Sequence, residues 1–161
     1  LVAAHRAYDR VDGVDDDRLD RLVSHVDTVV ETLRRTPAAG VDGLYRYEGD
    51  SWRVREQSDE KIWSVSTAWG AHAAASLAAL LDDHDDDRAT EFAALACDLL
   101  SLCLPDGALC LESGYLPEQV FDDGTPDSAT PLGWPHALRL ATVALMDEYG
   151  MLREGTAVAD A

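Results

Sequence analysis

The stretch "IWSVSTAWGAHAAASLAALL", residues 62 to 81, is apolar almost all round, rich in Ala and carrying two Trp residues. A helix of that composition has no polar side to offer water, so it must be enclosed by other elements. No window of the chain approaches the uninterrupted apolar length that a membrane span needs, so the enclosure has to come from protein. The chain has 161 residues, 47% of them hydrophobic, which is enough for one domain with its own core.

Three further helices are available to cover it. Leu19, Leu22, Val23, Val26, Val30 and Leu33 recur at helical spacing with Asp20, Arg21, Asp27, Glu31 and Arg34 on the other side, which predicts an amphipathic helix over about 19–35, ended near Pro37. Phe92, Leu95, Leu99 and Leu102 form one stripe of a helix over about 88–104, with Asp87 as its N-cap. A last helix runs from about Trp134 to Tyr149, with Pro135 in its first turn and Gly150 as its C-terminal cap. No convincing strand is visible. The expected fold class is therefore all-α, with helical hairpins in two layers whose helices alternate half-exposed, enclosed, half-exposed, enclosed.

The two longest loops, 37–61 and 105–133, each precede an enclosed helix and should emerge at the same end of the layers. Loops of that length are usually functional or disordered, and Tyr45, Tyr47, Trp52, Tyr115 and Trp134 argue against disorder. Aromatic rings beside carboxylates and an Arg suit a sugar, whose C–H faces stack on rings while its hydroxyls take charged hydrogen bonds. The same aromatics would serve equally to pin the loops to the helices.

The formal net charge is −18, built from 22 Asp and 9 Glu against 12 Arg and a single lysine, Lys61. Such a surface repels phosphate backbones and anionic lipid, so nucleic acid and membrane partners are not expected. Abundant Asp with almost no Lys resembles the bias of proteins from salt-loving archaea, and on that reading the charge describes the solvent rather than the substrate. The runs "DDD" at 15–17 and "DDHDDD" at 82–87 are expected to be hydrated loops. Neither has the oxygen spacing and turn glycine of a binding loop, so no metal is expected. Cys97, Cys103 and Cys110 are an odd count without a CxxC pair and read as reduced thiols of a cytoplasm-like compartment, with Cys97 and Cys103 as small core residues.

"GLYRYEGD" at 43–50, "IWSVSTAW" at 62–69, "GYLPEQV" at 114–120 and "SATPLGWPHA" at 128–137, in that order, resemble the C-terminal half of glycoside hydrolase family 15. That family holds glucoamylases, glucodextranases and archaeal trehalases, built as an (α/α)6 barrel of six helical hairpins. The resemblance covers about residues 40–149. It implies an inverting, exo-acting α-glucoside hydrolase that needs no cofactor, with an α-glucan or α-glucoside as substrate. The glutamate of "LPEQ", Glu118, would be the catalytic base that activates water. Arg46 would contact bound sugar, with Asp50 the acidic residue that follows it. Trp134 would line the pocket, Trp63 would open the enclosed helix, where a buried Trp is as often plain core, and the loop aromatic Tyr115 completes the set. His136 matches a position near the pocket rim and reads equally as a packed or capping histidine.

The sequence departs from the family at "DEKIW", where members commonly carry a Gly/Asn-Pro-Trp run, and at Pro135, where they commonly have Ser. Nothing in it matches the family's catalytic acid, which lies in the first half of the barrel. The chain therefore reads as the C-terminal segment of such a domain, residues 1–161, with the N-terminal half of the same barrel as its partner and no activity alone; the opening "LVAAHRAY" looks cut from something longer. Trehalase is the alternative within the family. A non-catalytic, sugar-binding domain, like the glucoamylase-like barrels of phosphorylase kinase regulatory subunits, is the alternative outside it.

The charge generates a first prediction. Unscreened fields reach about 30 Å at 0.01 M salt and about 3 Å at 1 M, so self-repulsion should loosen the fold in dilute buffer. The melting temperature is expected to rise with KCl; a flat Tm from dilute to molar salt removes the salt-adapted reading.

Overall fold

The computed structural model describes residues 13–37, 41–52, 57 and 59–152. Four helices carry it: α1 (Asp16–Leu33), α2 (Ser64–Asp83), α3 (Ala89–Ser101) and α4 (Gly133–Glu148). Helix α2 is the central element, with α3, α4 and α1 packed around it. Its alanines make this possible. Ala71, Ala74, Ala75 and Ala78 are fully buried, so neighbouring helices approach closely and fill the space with Phe92, Leu99, Leu100, Val26 and Met146. A second, smaller apolar cluster lies under the loops and joins Val41, Ile62, Ala68, Cys103, Leu109, Leu116 and Val120. Cys97 and Cys103 are buried, as expected of small core residues, and burial pushes the Cys103 thiol up to about 12.

The helices are joined by two small antiparallel sheets that the sequence reading did not foresee, so the chain is a helical fold with added strands rather than all-α. Strand β1 (Arg34–Arg35) pairs with β2 (Gly43–Leu44), and β3 (Ile62–Trp63), β4 (Gln119–Val120) and β5 (Pro126–Asp127) form a three-stranded sheet in that order. The registers set Ile62 opposite Val120, and Gln119 between Trp63 and Asp127. Residues 62 and 63, expected to open the enclosed helix, are therefore extended; the helix begins at Ser64. Each strand is two residues long, too short to display an alternating pattern.

Other local expectations are corrected for similar reasons. The run Asp15, Asp16, Asp17 is not a loop: Asp15 is the N-cap of α1, accepting a hydrogen bond from the Arg18 N–H at 3.0 Å, and Asp16 and Asp17 occupy the first turn, where negative charge suits the helix dipole. Before α3 the cap falls at Arg88, and Asp86 rather than Asp87 accepts from the Arg88 N–H. Asp82 and Asp83 are the last residues of α2 rather than loop. Helix α4 was expected to be enclosed, yet Trp134 and Leu140 are 62% and 60% exposed and only Pro135, Thr142 and Met146 are buried. Its composition is that of an enclosed helix, but α2 covers just one side. Pro135 does lie in the first turn, and Gly150 ends the helix at φ +64, with its N–H on Asp147 O and the Met151 N–H on Met146 O.

Two glycines separate two kinds of tight packing. A Cβ at Gly107, in the turn after α3, would stand 2.3 Å from the Ser101 carbonyl oxygen and 2.4 Å from that of Leu102, so backbone would have to move. At Gly70 the nearest atoms are side-chain ends, Leu44 Cδ1 at 2.6 Å and Leu99 Cδ1 at 3.2 Å. Overpacking costs roughly 1–3 kcal/mol, and a helical Gly→Ala exchange returns about 1 kcal/mol of propensity. Urea unfolding at fixed salt should therefore show Gly107→Ala the more destabilising, at the upper end of that range or beyond, and Gly70→Ala close to neutral. The reverse order would contradict this packing.

Candidate functional site

The three-stranded sheet ties the 37–61 loop to the 105–133 loop at the start of α2, and the candidate residues collect around that tie. Glu118 immediately precedes β4. Its N–H donates to Ala129 O at 2.8 Å, and its carbonyl accepts from the N–H of Ser64, the first residue of α2, at 3.2 Å. Pro117 before it is buried and restricts the backbone. The half-buried carboxylate accepts a hydrogen bond at Oε2 from the Ser128 hydroxyl. Ser128 has φ +67, a left-handed conformation uncommon for serine, so backbone strain is spent where the carboxylate is oriented. Glu118 is thus held through both its main chain and its side chain.

Arg46, Asp50 and Trp63 form one cluster. The Arg46 guanidinium lies 4.2 Å over the Trp63 ring, with Tyr47 at 4.8 Å and Trp52 at 5.9 Å. It donates to Asp50 through Nη2 at 2.8 Å and Nε at 3.1 Å, the two-pronged geometry that suits Arg and carboxylate. Burial alone would raise the Asp50 carboxyl, but hydrogen bonds from Arg46 and from the Trp52 N–H outweigh it and hold that carboxyl below the usual aspartate range. Trp63 is buried, while Tyr47 and Trp52 stand half out in solvent, so this cluster has an aromatic rim. Tyr45 does the other job considered for the loop aromatics: its hydroxyl donates to Thr32 O at 2.8 Å and pins the loop to α1.

His136 and Tyr115 belong to the approach to Glu118. The Leu116 N–H donates to His136 Nε2 at 3.0 Å, and the Tyr115 and His136 rings meet edge to face at 6.3 Å. Both ring nitrogens face donors, Nε2 the Leu116 N–H and Nδ1 the Arg139 Nη2 at 3.2 Å, so a proton on either nitrogen opposes a donor. Burial first, and the Arg139 charge second, push the His136 pKa down. His136 is therefore a neutral pin on the loop that leads into Glu118. Trp134 stands at the start of α4, two residues before His136, and meets Trp69 edge to face at 5.7 Å. Together they line an open groove between α2 and α4 with His72, Gly133, Ala137 and Leu138.

Sequence reasoning missed the residues that hold Glu118. Ser128 lies 10 residues away and only its backbone angle marks it. Gln119, next to Glu118, is fully buried with neither amide atom hydrogen-bonded to protein, and Ser64 Oγ shares that state. Such groups are costly and call for a role. Lys61 and Asp127 form a buried pair beside them. The one signal for Lys61 was its being the only lysine.

Among the described residues no three His, Cys, Asp or Glu side chains converge as metal ligands, and no helix is long and apolar enough to cross a membrane. Comparison of the chain with protein-family models, curated proteins and solved structures finds no match.

The pin at His136 carries a pH dependence. A histidine whose folded pKa lies below its ordinary 6.5 adds stability that is complete above 6.5 and is lost as pH falls through the folded value. Between about pH 8 and pH 5 the wild type should lose more Tm than His136→Gln, whose amide oxygen accepts from Leu116 without titrating. Identical losses would show that His136 does not carry this dependence.

Proposed function

We propose that this chain is part of an inverting α-glucoside hydrolase of the glucoamylase type, with Glu118 as the general base. The observation that carries the reading is the way Glu118 is held: a half-buried carboxylate, fixed by Ala129, Ser64 and Ser128, at the junction of two aromatic loops. A base of this kind has to point one oxygen at a water for each turnover, and positioning on paired backbone gives that constancy. Around it, the Arg46–Asp50 pair with Tyr47, Trp52 and Trp63 offers charged hydrogen bonds beside ring faces, the two kinds of contact a glucosyl unit takes. Trp134 and Trp69 offer further aromatic surface in the groove between α2 and α4, which neither Glu118 nor Arg46 lines.

Inversion needs a second carboxyl group that stays protonated, about 6.5–9.5 Å from the base, to protonate the leaving oxygen. Two other carboxyl groups buried at this end, Asp50 and Asp127, are each engaged by a cation, Arg46 and Lys61, which favours their ionised forms. Neither suits the acid, so the reading assigns that role to the other half of the barrel, outside this chain. The exposed apolar side of α4 agrees with a missing neighbour. A trehalase uses the same division of labour with a shorter substrate, and a sugar-binding domain would keep the cluster without the acid.

In the complete protein Glu118→Gln keeps shape and removes the proton acceptor. Turnover should fall roughly a hundred- to ten-thousand-fold with KM little changed. Proton NMR of the first product from an α-linked glucoside should show β-glucose before mutarotation. Initial α-glucose, or near-normal turnover of the Gln variant, overturns the reading; binding of glucosides without turnover in the wild type selects the sugar-binding domain instead.

A further inference from the structure

Lys61 sits one residue before β3, in line with Phe121 beyond the end of β4, and its ammonium passes 5.2 Å over the Phe121 ring to reach Asp127 Oδ2 at 2.6 Å on β5. The pair therefore spans all three strands. Its side chains are 3% and 6% exposed, whereas in every other ion pair among the described residues at least one partner is 30% exposed or more. Asp127 is followed by Ser128, the residue at φ +67 that donates to Glu118, and then by Ala129, whose carbonyl accepts the Glu118 N–H. A strained residue keeps its conformation only while both flanks are fixed. Glu118 itself fixes the flank at Ala129. The flank at Asp127 is held by its strand pairing with Gln119 and by Lys61.

We propose that Lys61 and Asp127 are positioning residues: their buried ion pair fixes β5 so that Ser128 keeps its left-handed backbone and orients the Glu118 carboxylate. The catalytic part of this statement rests on the reading of Glu118 as a base; the mechanical part does not. A buried pair suits the task because its length and direction are set by geometry, and because dissolved salt does not reach it. An apolar substitute would fill the space but would not select one register of β5 against its neighbours.

The test separates local positioning from general stability. Lys61→Met strands a buried carboxylate and risks unfolding, so the decisive variant is Lys61→Met with Asp127→Leu, which removes both charges and keeps apolar volume. Hydrogen exchange of the complete protein is read at the Glu118 amide and, as a reference, at Ala74 and Ala78 in α2. In the double variant the Glu118 amide should exchange roughly tenfold faster or more while the α2 amides keep their protection. Adding Ser128→Ala should accelerate it no further, because the same link is already broken. In turnover, the double variant should lose kcat roughly tenfold or more with KM unchanged. Equal acceleration at Glu118 and in α2, wild-type exchange at Glu118, or a loss confined to KM overturns the proposal. Normal turnover by Glu118→Gln overturns the hydrolase reading instead, and exchange alone then decides whether the clasp exists.

Discussion

Two residues on β3 and two on β4 hold together the end of the chain where the candidate residues lie. Ile62 and Trp63 pair with Val120 and Gln119, and through that ladder two long loops become one surface. Closing loops costs chain entropy, so four residues of pairing would not suffice alone. The ladder is supported from every side. Ile62 and Val120 are buried in the lesser apolar cluster, the Ser64 N–H continues the pairing into α2 by bonding Glu118, and Asp127 extends it to a third strand. Trp63 has a second use, as the surface on which the Arg46 guanidinium rests. Backbone pairing and site assembly are thus the same event, which places Glu118 on the most constrained segment of an otherwise irregular loop.

The helices were legible because their signal is local. The stripe of Leu19, Leu22, Val26 and Val30 is buried in α1, and the all-round apolar α2 is buried over most of its length. The sheets were illegible because two-residue strands have no period, and the pairing of β3 with β4 joins residues far apart in sequence. Asp15 was missed as a cap because it stands in a run of like residues, where composition suggests a hydrated loop. α4 shows the limit in the other direction: its composition states that it should be covered on all sides, but sequence cannot say whether the covering element belongs to the same chain. For the candidate site the division is similar. Arg46, Asp50 and Trp63 were named through the family resemblance, while Tyr47 and Trp52 were visible as loop aromatics. Ser128 was invisible because a positive φ leaves no mark on a serine codeword, and Lys61 and Asp127, 66 residues apart, meet only after the sheet has formed.

The carboxylates of this chain fall into two populations that salt treats differently. Most are on the surface, where pairs such as Arg88 with Asp20 are partly exposed and contribute little beyond their packing. At a net charge of −18 their main collective effect is repulsion, and dissolved cations relieve it. The carboxylates near Glu118 are of the other kind. Asp50 is buried against Arg46, which is itself about a third exposed, and Asp127 against Lys61, where both partners are buried, so screening acts least on the second pair. An acidic surface therefore encloses two carboxylates, Asp50 and Asp127, that are themselves buried against their cations. Both cation types serve the buried carboxylates: Arg46 holds Asp50 in a two-pronged bond, while the one lysine, a compact charge on an apolar stem, passes over Phe121 to reach Asp127.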